Sequence, residues 1–407
     1  MRLTAPSLKQ ILTKSPNDIV LLSYHRTPFT RAYKGGLSNA YPEQLLAAVL
    51  RATLHHNPSL SPSQIQDISI GTVLTPLGGS KVARMAAAHV GFPVSTSVHT
   101  VNRACASSVQ SLTSIADSIA VGRIDVGIAG GMESMTRNYG SKAIPTELWP
   151  DLKSSEIKEA RDCISSMGIT SENVARRYGV GRREQDEFAV RSHRRAAQAQ
   201  KKGLGKREIV AVEVEDVDDR GTMTVVDKDH GIRPNSSVKA LAELPPAFDE
   251  EGTTTAGNSS LMSDGASAIL LARRSTAMEL GLRPTARFVA SSVVGVPPDE
   301  MGVGPAYAVP RLLQQTGLQM KDVAVWEINE AFASQAVYCI RELGLEKALE
   351  EGKVNPRGGS IALGHPLGAT GARLVGGLVG ELEEGEIGVA TLCVGTGMGM
   401  AACVVKE

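Results

Sequence analysis

Two cysteines and one histidine, each set among small residues, are the positions of this chain best suited to covalent chemistry. Cys105 lies in Asn102-Arg103-Ala104-Cys105-Ala106-Ser107-Ser108, His365 in Gly364-His365-Pro366-Leu367-Gly368, and Cys393 in Cys393-Val394-Gly395-Thr396-Gly397-Met398-Gly399. A fourth stretch, Asn329-Glu330-Ala331-Phe332, completes the set. A thiol beside an imidazole can become a thiolate nucleophile, and a second thiol can shuttle a proton. Small neighbours let a substrate approach the backbone closely. The combination suits thioester chemistry.

Each stretch alone also has a plainer reading. A lone Cys ahead of a helical segment is more often a small buried residue than a nucleophile. Gly-His-Pro is ordinary loop punctuation. The glycines after Cys393 form either a tight strand-to-strand turn or a phosphate cradle. The Lys-Ser/Thr ending of a nucleotide P-loop is missing, which argues against the cradle. Co-occurrence in one chain and in this order is what favours chemistry.

A chain of 407 residues is long enough for two or more packed units. With 42% hydrophobic residues, 41 Gly and only 4% aromatics, it reads as an α/β protein built on aliphatic packing and tight turns. Lys+Arg and Asp+Glu are both 43, so bulk charge gives no footing for nucleic acid. No run of eighteen apolar residues appears, so no membrane-spanning helix is expected. The five scattered cysteines suggest neither a disulfide framework nor, lacking a CxxC pair, a structural zinc site. They fit a reducing compartment in which a thiol nucleophile stays available.

The elements that must position these residues show an internal echo. Gln66-Asp67-Ile68-Ser69-Ile70-Gly71-Thr72-Val73 and Lys321-Asp322-Val323-Ala324-Val325-Trp326-Glu327-Ile328 both read as a loop entering a β-branched strand. Each follows an amphipathic helical stretch, Pro42 to Leu54 in the first case and Pro310 to Gln315 in the second. The run from Gly122 to Gly131 is echoed in the same way from Gly385 to Leu392. Such alternation implies duplicated, largely parallel sheets covered by helices. Val109, Leu112 and Ile115 have helical spacing, which puts Cys105 at a helix N-terminus, where the macrodipole favours a thiolate. Between the halves, from about Tyr139 to Pro246, the chain turns basic: Arg176-Arg177, Arg182-Arg183, Arg191, Arg194-Arg195, Lys201-Lys202 and Lys206-Arg207. Its plain reading is a solvated helix face.

The four stretches resemble the signature blocks of the thiolase family, whose members make or break 3-ketoacyl-CoA thioesters. The resemblance includes Gly130-Gly131-Met132-Glu133-Ser134-Met135, the run Met167 to Ala175, and Thr255-Ala256-Gly257-Asn258-Ser259-Ser260. It runs from about Asp18 to the C-terminus and is nearest to the peroxisomal type. It implies an α/β, duplicated αβαβα layered core with an inserted loop domain. The implied divisions are an extension over residues 1–17, a first half over 18–138, a loop domain over 139–246 that covers the site and holds coenzyme A, a return to the first half over 247–290, and a second half over 291–407. It also implies a homodimer and an acyl-CoA substrate. Coenzyme A is then a co-substrate, with no permanently bound cofactor and no metal.

The resemblance assigns roles as well. Cys105 is the implied acyl acceptor, His365 takes its proton and holds the resulting ion pair, and Cys393 serves as acid and then base. The N–H groups of Cys105 and Gly395 form one implied oxyanion hole; His365 and a water held by Asn329 form the other. Arg233 flanks the adenine, Ser260 bonds the pantetheine arm, and Met167 lines the acyl pocket with Phe332. The peroxisomal type usually has Gln before the nucleophile and Gly three residues after it, whereas Ala104 and Ser108 stand here. Ser108 therefore fills space where the family often has none, a departure that bears on acyl-chain preference and rate. Ser166-Met167-Gly168 lacks the His that the short-chain acetoacetyl-CoA branch often carries, which favours a broader chain length and a degradative 3-ketoacyl-CoA enzyme over the short-chain alternative. A Cys/His hydrolase and an inactive acyl-CoA binder are the readings from other classes.

Residues 1–17 read as a separate targeting element. Arg2-Leu3 followed by Gln10, Ile11 and Leu12 resembles an N-terminal peroxisomal address recognised by an import receptor. The fit is inexact: Lys9 stands where His or Gln is expected, and Pro6 would disturb a helix. A mitochondrial presegment or a cytosolic chain are the rival readings.

Overall fold

The computed structural model describes residues 6–139 and 145–407. Arg2 and Leu3 of the address pattern lie outside these residues, as do residues 140–144 of the expected loop domain. The strands are β1 (Ile19–Arg26), β2 (Thr30–Arg31), β3 (Asp67–Gly71), β4 (Ser97–Val101), β5 (Val126–Ser134), β6 (Val212–Glu215), β7 (Met223–Val226), β8 (Ser263–Arg273), β9 (Ala286–Gly295), β10 (Val323–Ile328), β11 (Ile387–Val394) and β12 (Met398–Lys406). All but β6 and β7, which form a separate hairpin, belong to one hydrogen-bonded sheet.

The strand order exposes the duplication. In the first half β4, β3, β5, β8 and β1 lie side by side, with β3 parallel to β4 and β5 and the remaining pairs antiparallel. In the second half β10, β11, β12 and β9 repeat that order, β10 and β11 parallel and the rest antiparallel. A single parallel bridge between Trp326 and Val354 stands where β4 would be. The halves join through three antiparallel residue pairs between β1 and β9, Ile19 to Leu21 against Phe288 to Ala286. The boundary expected after residue 290 lies inside β9.

Period-two alternation then sorts the side chains into layers. In β12, Met400, Ala402 and Val404 face a central core while Ala401, Cys403 and Val405 face an outer one. In β8, Ile269 and Leu271 face the central core while Ala268, Leu270 and Ala272 face the other outer one. Helices Ser107–Ala120 and Leu367–Val379 fill the central layer between the half-sheets. Helices Pro42–His56 and Ser80–Val90 cover the first outer face; Gly304–Thr316 and Ala333–Glu342 cover the second. The result is five layers, α-β-α-β-α.

Two local expectations need correction. The helix read as starting at Pro310 starts at Gly304, because Pro305 supplies the fixed φ of a first turn. Pro310 is an exposed residue inside it, tolerated where its missing N–H costs one solvent-side bond. At the other end of the chain Pro6 does not break the short helix Leu8–Leu12, which begins after Ser7 caps it. Ile11 of that helix is buried in the second half's core.

The basic insertion keeps an exposed charged face, with some of its arginines tied into the structure. Its helices Met167–Tyr178 and Arg182–Lys201 bury Val174, Phe188 and Ala189 against the second half, together with Val180 from the turn between them. Arg176 pairs with Asp249, Arg177 with Asp299 and Glu300, Arg182 with Asp186 and Arg183 with Glu187. Arg195 donates to the carbonyls of Val354 and Leu349.

The central layer depends on glycine where backbones meet. A Cβ on Gly131 of β5 would lie 1.9 Å from the Gly368 carbonyl oxygen, at the start of the Leu367–Val379 helix. Gly131→Ala should therefore cost about 3 kcal/mol or more, the upper end for overpacking a core. At Gly377 a Cβ meets nothing within 4 Å, so Gly377→Ala should be neutral or stabilise by up to about 1 kcal/mol. Urea denaturation of the two variants reads the difference.

Candidate active site

Cys105 sits on a strained turn. Ala104 has φ +40°, a left-handed conformation that L-residues with a Cβ rarely adopt. The side chains around it hold it there: Asn102 Oδ1 accepts from the Ala104 N–H at 2.9 Å, and Ser107 Oγ accepts from the Arg103 N–H at 2.9 Å while donating to the Ala104 carbonyl at 2.7 Å. Helix Ser107–Ala120 starts two residues after Cys105, as the spacing required. The thiol is 8% exposed.

Cys393 is the next-to-last residue of β11, opposite Gly399 of β12, and the glycines between the two strands make a strand-to-strand turn. Thr396 and Gly397 have φ +70° and +86°, and a Cβ on Gly397 would lie 2.3 Å from the Val296 carbonyl. The phosphate-cradle alternative is thus replaced by a hairpin. It turns the Gly395 N–H toward the Cys105 sulfur. Ala104 and Met167 flank Gly395, with Met167 Sδ 3.4 Å from where its Cβ would be. Cys393, Phe332 and Met167 pack together with Ala331 and Met301.

His365 lies in the turn before helix Leu367–Val379 and is 4% exposed. Its Nδ1 is 2.6 Å from Thr370 Oγ1, whose hydroxyl donates to the Pro366 carbonyl at 3.0 Å. Thr370 therefore accepts from Nδ1–H, which leaves the lone pair on Nε2. Asn329 agrees: its Nδ2, a donor only, is 3.5 Å from Nε2. The Asn329 backbone is held by the Thr391 carbonyl and its Oδ1 by Ser360 Oγ at 2.6 Å.

The remaining expected residues fall at the edge of this cluster. The Ser260 N–H bonds the Ala331 carbonyl, beside a bridge between Ser259 and Phe332. Arg233 is exposed, its N–H on His193 Nδ1 at 3.2 Å, two residues after Gly231, which lies against the Ala362 carbonyl. Ser108 is fully buried, and its Oγ accepts the Ala372 N–H at 2.9 Å, so it joins the two central helices.

Three neighbours were missed. Glu133 is fully buried and accepts from the N–H groups of Val73, Leu74 and Gly368, tying the His365 loop to the first half. A carboxylate inside an apolar strand was the available signal. Phe248 meets Phe332 edge-on with centroids 6.3 Å apart and covers Gly168; an aromatic in a loop of an aromatic-poor chain was a faint hint. Met301 belongs to no motif and gave none.

Comparison with known proteins fits this arrangement. The chain matches the family described as Thiolase, N-terminal domain over residues 19–275 and the one described as Thiolase, C-terminal domain over residues 282–406. The chain belongs to the thiolase family. It is 48% identical over 404 residues to the 3-ketoacyl-CoA thiolase A, peroxisomal, of Mus musculus, covering 98% of this chain and 93% of that protein. Its fold is similar to the dimeric peroxisomal thiolase of Saccharomyces cerevisiae, with TM-score 0.91 and 42% identity, covering 98% of this chain and 100% of the other. It is also similar to the Bacillus anthracis acetyl-CoA acetyltransferase, with TM-score 0.85 and 33% identity over 96% of this chain and 99% of the other.

Electrostatics set the resting state of this thiolase. Burial pushes the Cys105 thiol up to about 11, against the pull of the Gly395 and Cys105 N–H groups, and Glu133 adds to the rise. Burial, helped by the Arg373 charge, lowers His365 to about 3. The Cys393 thiol is raised well above its ordinary value by burial and then by the nearby Cys105. The sequence suggested a thiolate favoured by the helix dipole; here desolvation outweighs it, and the resting pair is neutral thiol and neutral imidazole. Because a raised thiol pKa leaves little thiolate at neutral pH, iodoacetamide alkylation of Cys105 should accelerate steadily from pH 6 to pH 9. A rate already level at pH 6 would contradict it; peptide mass spectrometry follows the label.

Proposed function

We propose that this thiolase cleaves 3-ketoacyl-CoA with coenzyme A, releasing acetyl-CoA and a shortened acyl-CoA. The observation that carries the reading is the second thiol: Cys393 packs against Met167, which with Ala104 flanks Gly395, whose N–H faces the Cys105 sulfur. A Cys/His hydrolase has no use for it. The Cys105 sulfur attacks the C3 ketone while His365 Nε2 takes the thiol proton, so the ion pair forms during attack. The C3 oxyanion is met by the N–H groups of Cys105 and Gly395. The C2–C3 bond then breaks, leaving the acyl group on Cys105 and an acetyl-CoA enolate, which Cys393 protonates at C2. His365, with a water held by Asn329, stabilises the enolate oxygen. In the second half-reaction the Cys393 thiolate takes the proton of incoming coenzyme A. The CoA sulfur attacks the thioester, and the departing Cys105 thiolate regains its proton from His365.

Coenzyme A enters as co-substrate, along the wall made by Met167, Phe332 and Ser260, with Arg233 outermost near the adenine. The names of the relatives place them in the peroxisome, and we extend that location to this chain. The homodimer follows the named dimeric relative and one feature of the fold: β4 is paired on one side only, and Leu77, Met85 and Val94 beside it are exposed. Light scattering at micromolar concentration should give at least twice the 42.9 kDa chain mass.

The two thiols are separable. Cys105→Ser should accumulate no acyl-enzyme, because a serine hydroxyl beside a neutral imidazole is a poor nucleophile. Cys393→Ser should still be slowly labelled at Cys105 but lose exchange of the acetyl-CoA C2 proton with deuterated solvent by about 10²–10⁴-fold, the usual size of acid–base catalysis. Near-normal exchange in Cys393→Ser would sink its assignment as the acid and base. Turnover over a ladder of chain lengths, from acetoacetyl-CoA to C16, tests the degradative branch.

A further inference from the structure

We propose that Ser360 and Arg373 are positioning residues that fix which end of the Asn329 carboxamide faces His365. The inference rests on the role given above to Asn329. The two ends of a carboxamide have nearly the same shape, so only hydrogen bonds decide its orientation. Arg373, 4% exposed on the central helix, gives its Nη1–H to Glu327 Oε2 at 2.9 Å and its Nη2–H to Ser360 Oγ at 3.2 Å. A guanidinium cannot accept, so the Ser360 oxygen is the acceptor there, and its one hydroxyl proton goes to the other neighbour, Asn329 Oδ1, at 2.6 Å. That pins Oδ1 away from the reaction and turns Nδ2 toward His365 Nε2. Glu327 and Asn329 are two apart on one strand path, so the ion pair and the carboxamide share a face of it.

A flipped carboxamide would present an oxygen where the enolate charge develops and would take away the acceptor of the buried Ser360 hydroxyl proton. Without the Ser360 hydroxyl, that flip loses its penalty, and the buried Arg373 loses an acceptor beside an Nε already unpartnered. The effect is confined to the enolate side, because the N–H groups of Cys105 and Gly395 belong to other elements.

The test uses the full-length enzyme and three measurements: C2-proton exchange of acetyl-CoA in deuterated solvent, iodoacetamide labelling of Cys105, and thermal melting. Ser360→Ala should slow maximal exchange about tenfold to a hundredfold, the size of a misplaced or lost oxyanion donor. Its KM for acetyl-CoA and its Cys105 labelling rate should stay within about twofold, as expected for groups outside the network. Ser360→Thr, which keeps the hydroxyl, should restore most of the exchange. If Ser360→Ala does not fold, Ser360→Cys replaces it, since a thiol is too weak a donor to hold Oδ1. Unchanged exchange in the Ala or Cys variant overturns the inference, as does an equal loss in Ser360→Thr. Absence of exchange in the unmodified enzyme would instead overturn the proposed reaction, which separates the two failures.

Discussion

The contact between two buried helix N-termini is the constraint on which everything else rests. Helices Ser107–Ala120 and Leu367–Val379 come from different halves, yet they share the central layer and meet backbone to backbone. The meeting is possible because Gly371 has no Cβ, which would lie 2.9 Å from the Val109 backbone nitrogen, and Gly131 and Gly368 likewise let β5 approach the second helix. Ser108 and Glu133 then spend their polar atoms on the Ala372 and Gly368 N–H groups. A buried N–H left without a partner costs about 1–3 kcal/mol. These bonds therefore set register as well as proximity. Cys105 and His365 each sit just before one of these helices, so the register of the layer is the register of the reacting groups.

Duplication explains why the site is asymmetric although the fold is not. The runs Gly122 to Gly131 and Gly385 to Leu392 echo each other in sequence and form the equivalent strands β5 and β11. Only the second of these strands carries a thiol, Cys393. The first half supplies a turn with a thiol and the second a turn with an imidazole. One shared backbone plan thus delivers different chemistry at equivalent places.

Much of this was legible in the chain. Helical spacing after Ser107 and the paired strand echoes gave the duplicated plan, because period and turn chemistry are local properties. The motif residues Cys105, His365, Cys393, Asn329, Gly395, Met167 and Phe332 were singled out from their blocks; the structure packs Cys393, Phe332 and Met167 together, sets Gly395 beside Cys105 and sets Asn329 beside His365. What escaped was set by distant packing. Ser108 could not be placed because its partner is 264 positions away. The protonation state of Cys105 was misjudged because a helix dipole is visible in sequence and desolvation is not. The basic insertion is mostly solvated, as its plain reading held, but the ion-pair partners of Arg176 and Arg177, at Asp249, Asp299 and Glu300, lie in other segments and could not be read from the run itself.

Ala104 carries a consequence for how such a site can change over time. A left-handed alanine costs roughly 1–2 kcal/mol relative to an ordinary backbone, and glycine would remove most of that cost. Selection for stability alone would therefore drift toward glycine at this position. Glycine would also free the turn that aims the Cys105 sulfur. Retaining a side chain there keeps the acyl acceptor aimed at the expense of the fold, so heat tolerance and turnover should pull this one residue in opposite directions.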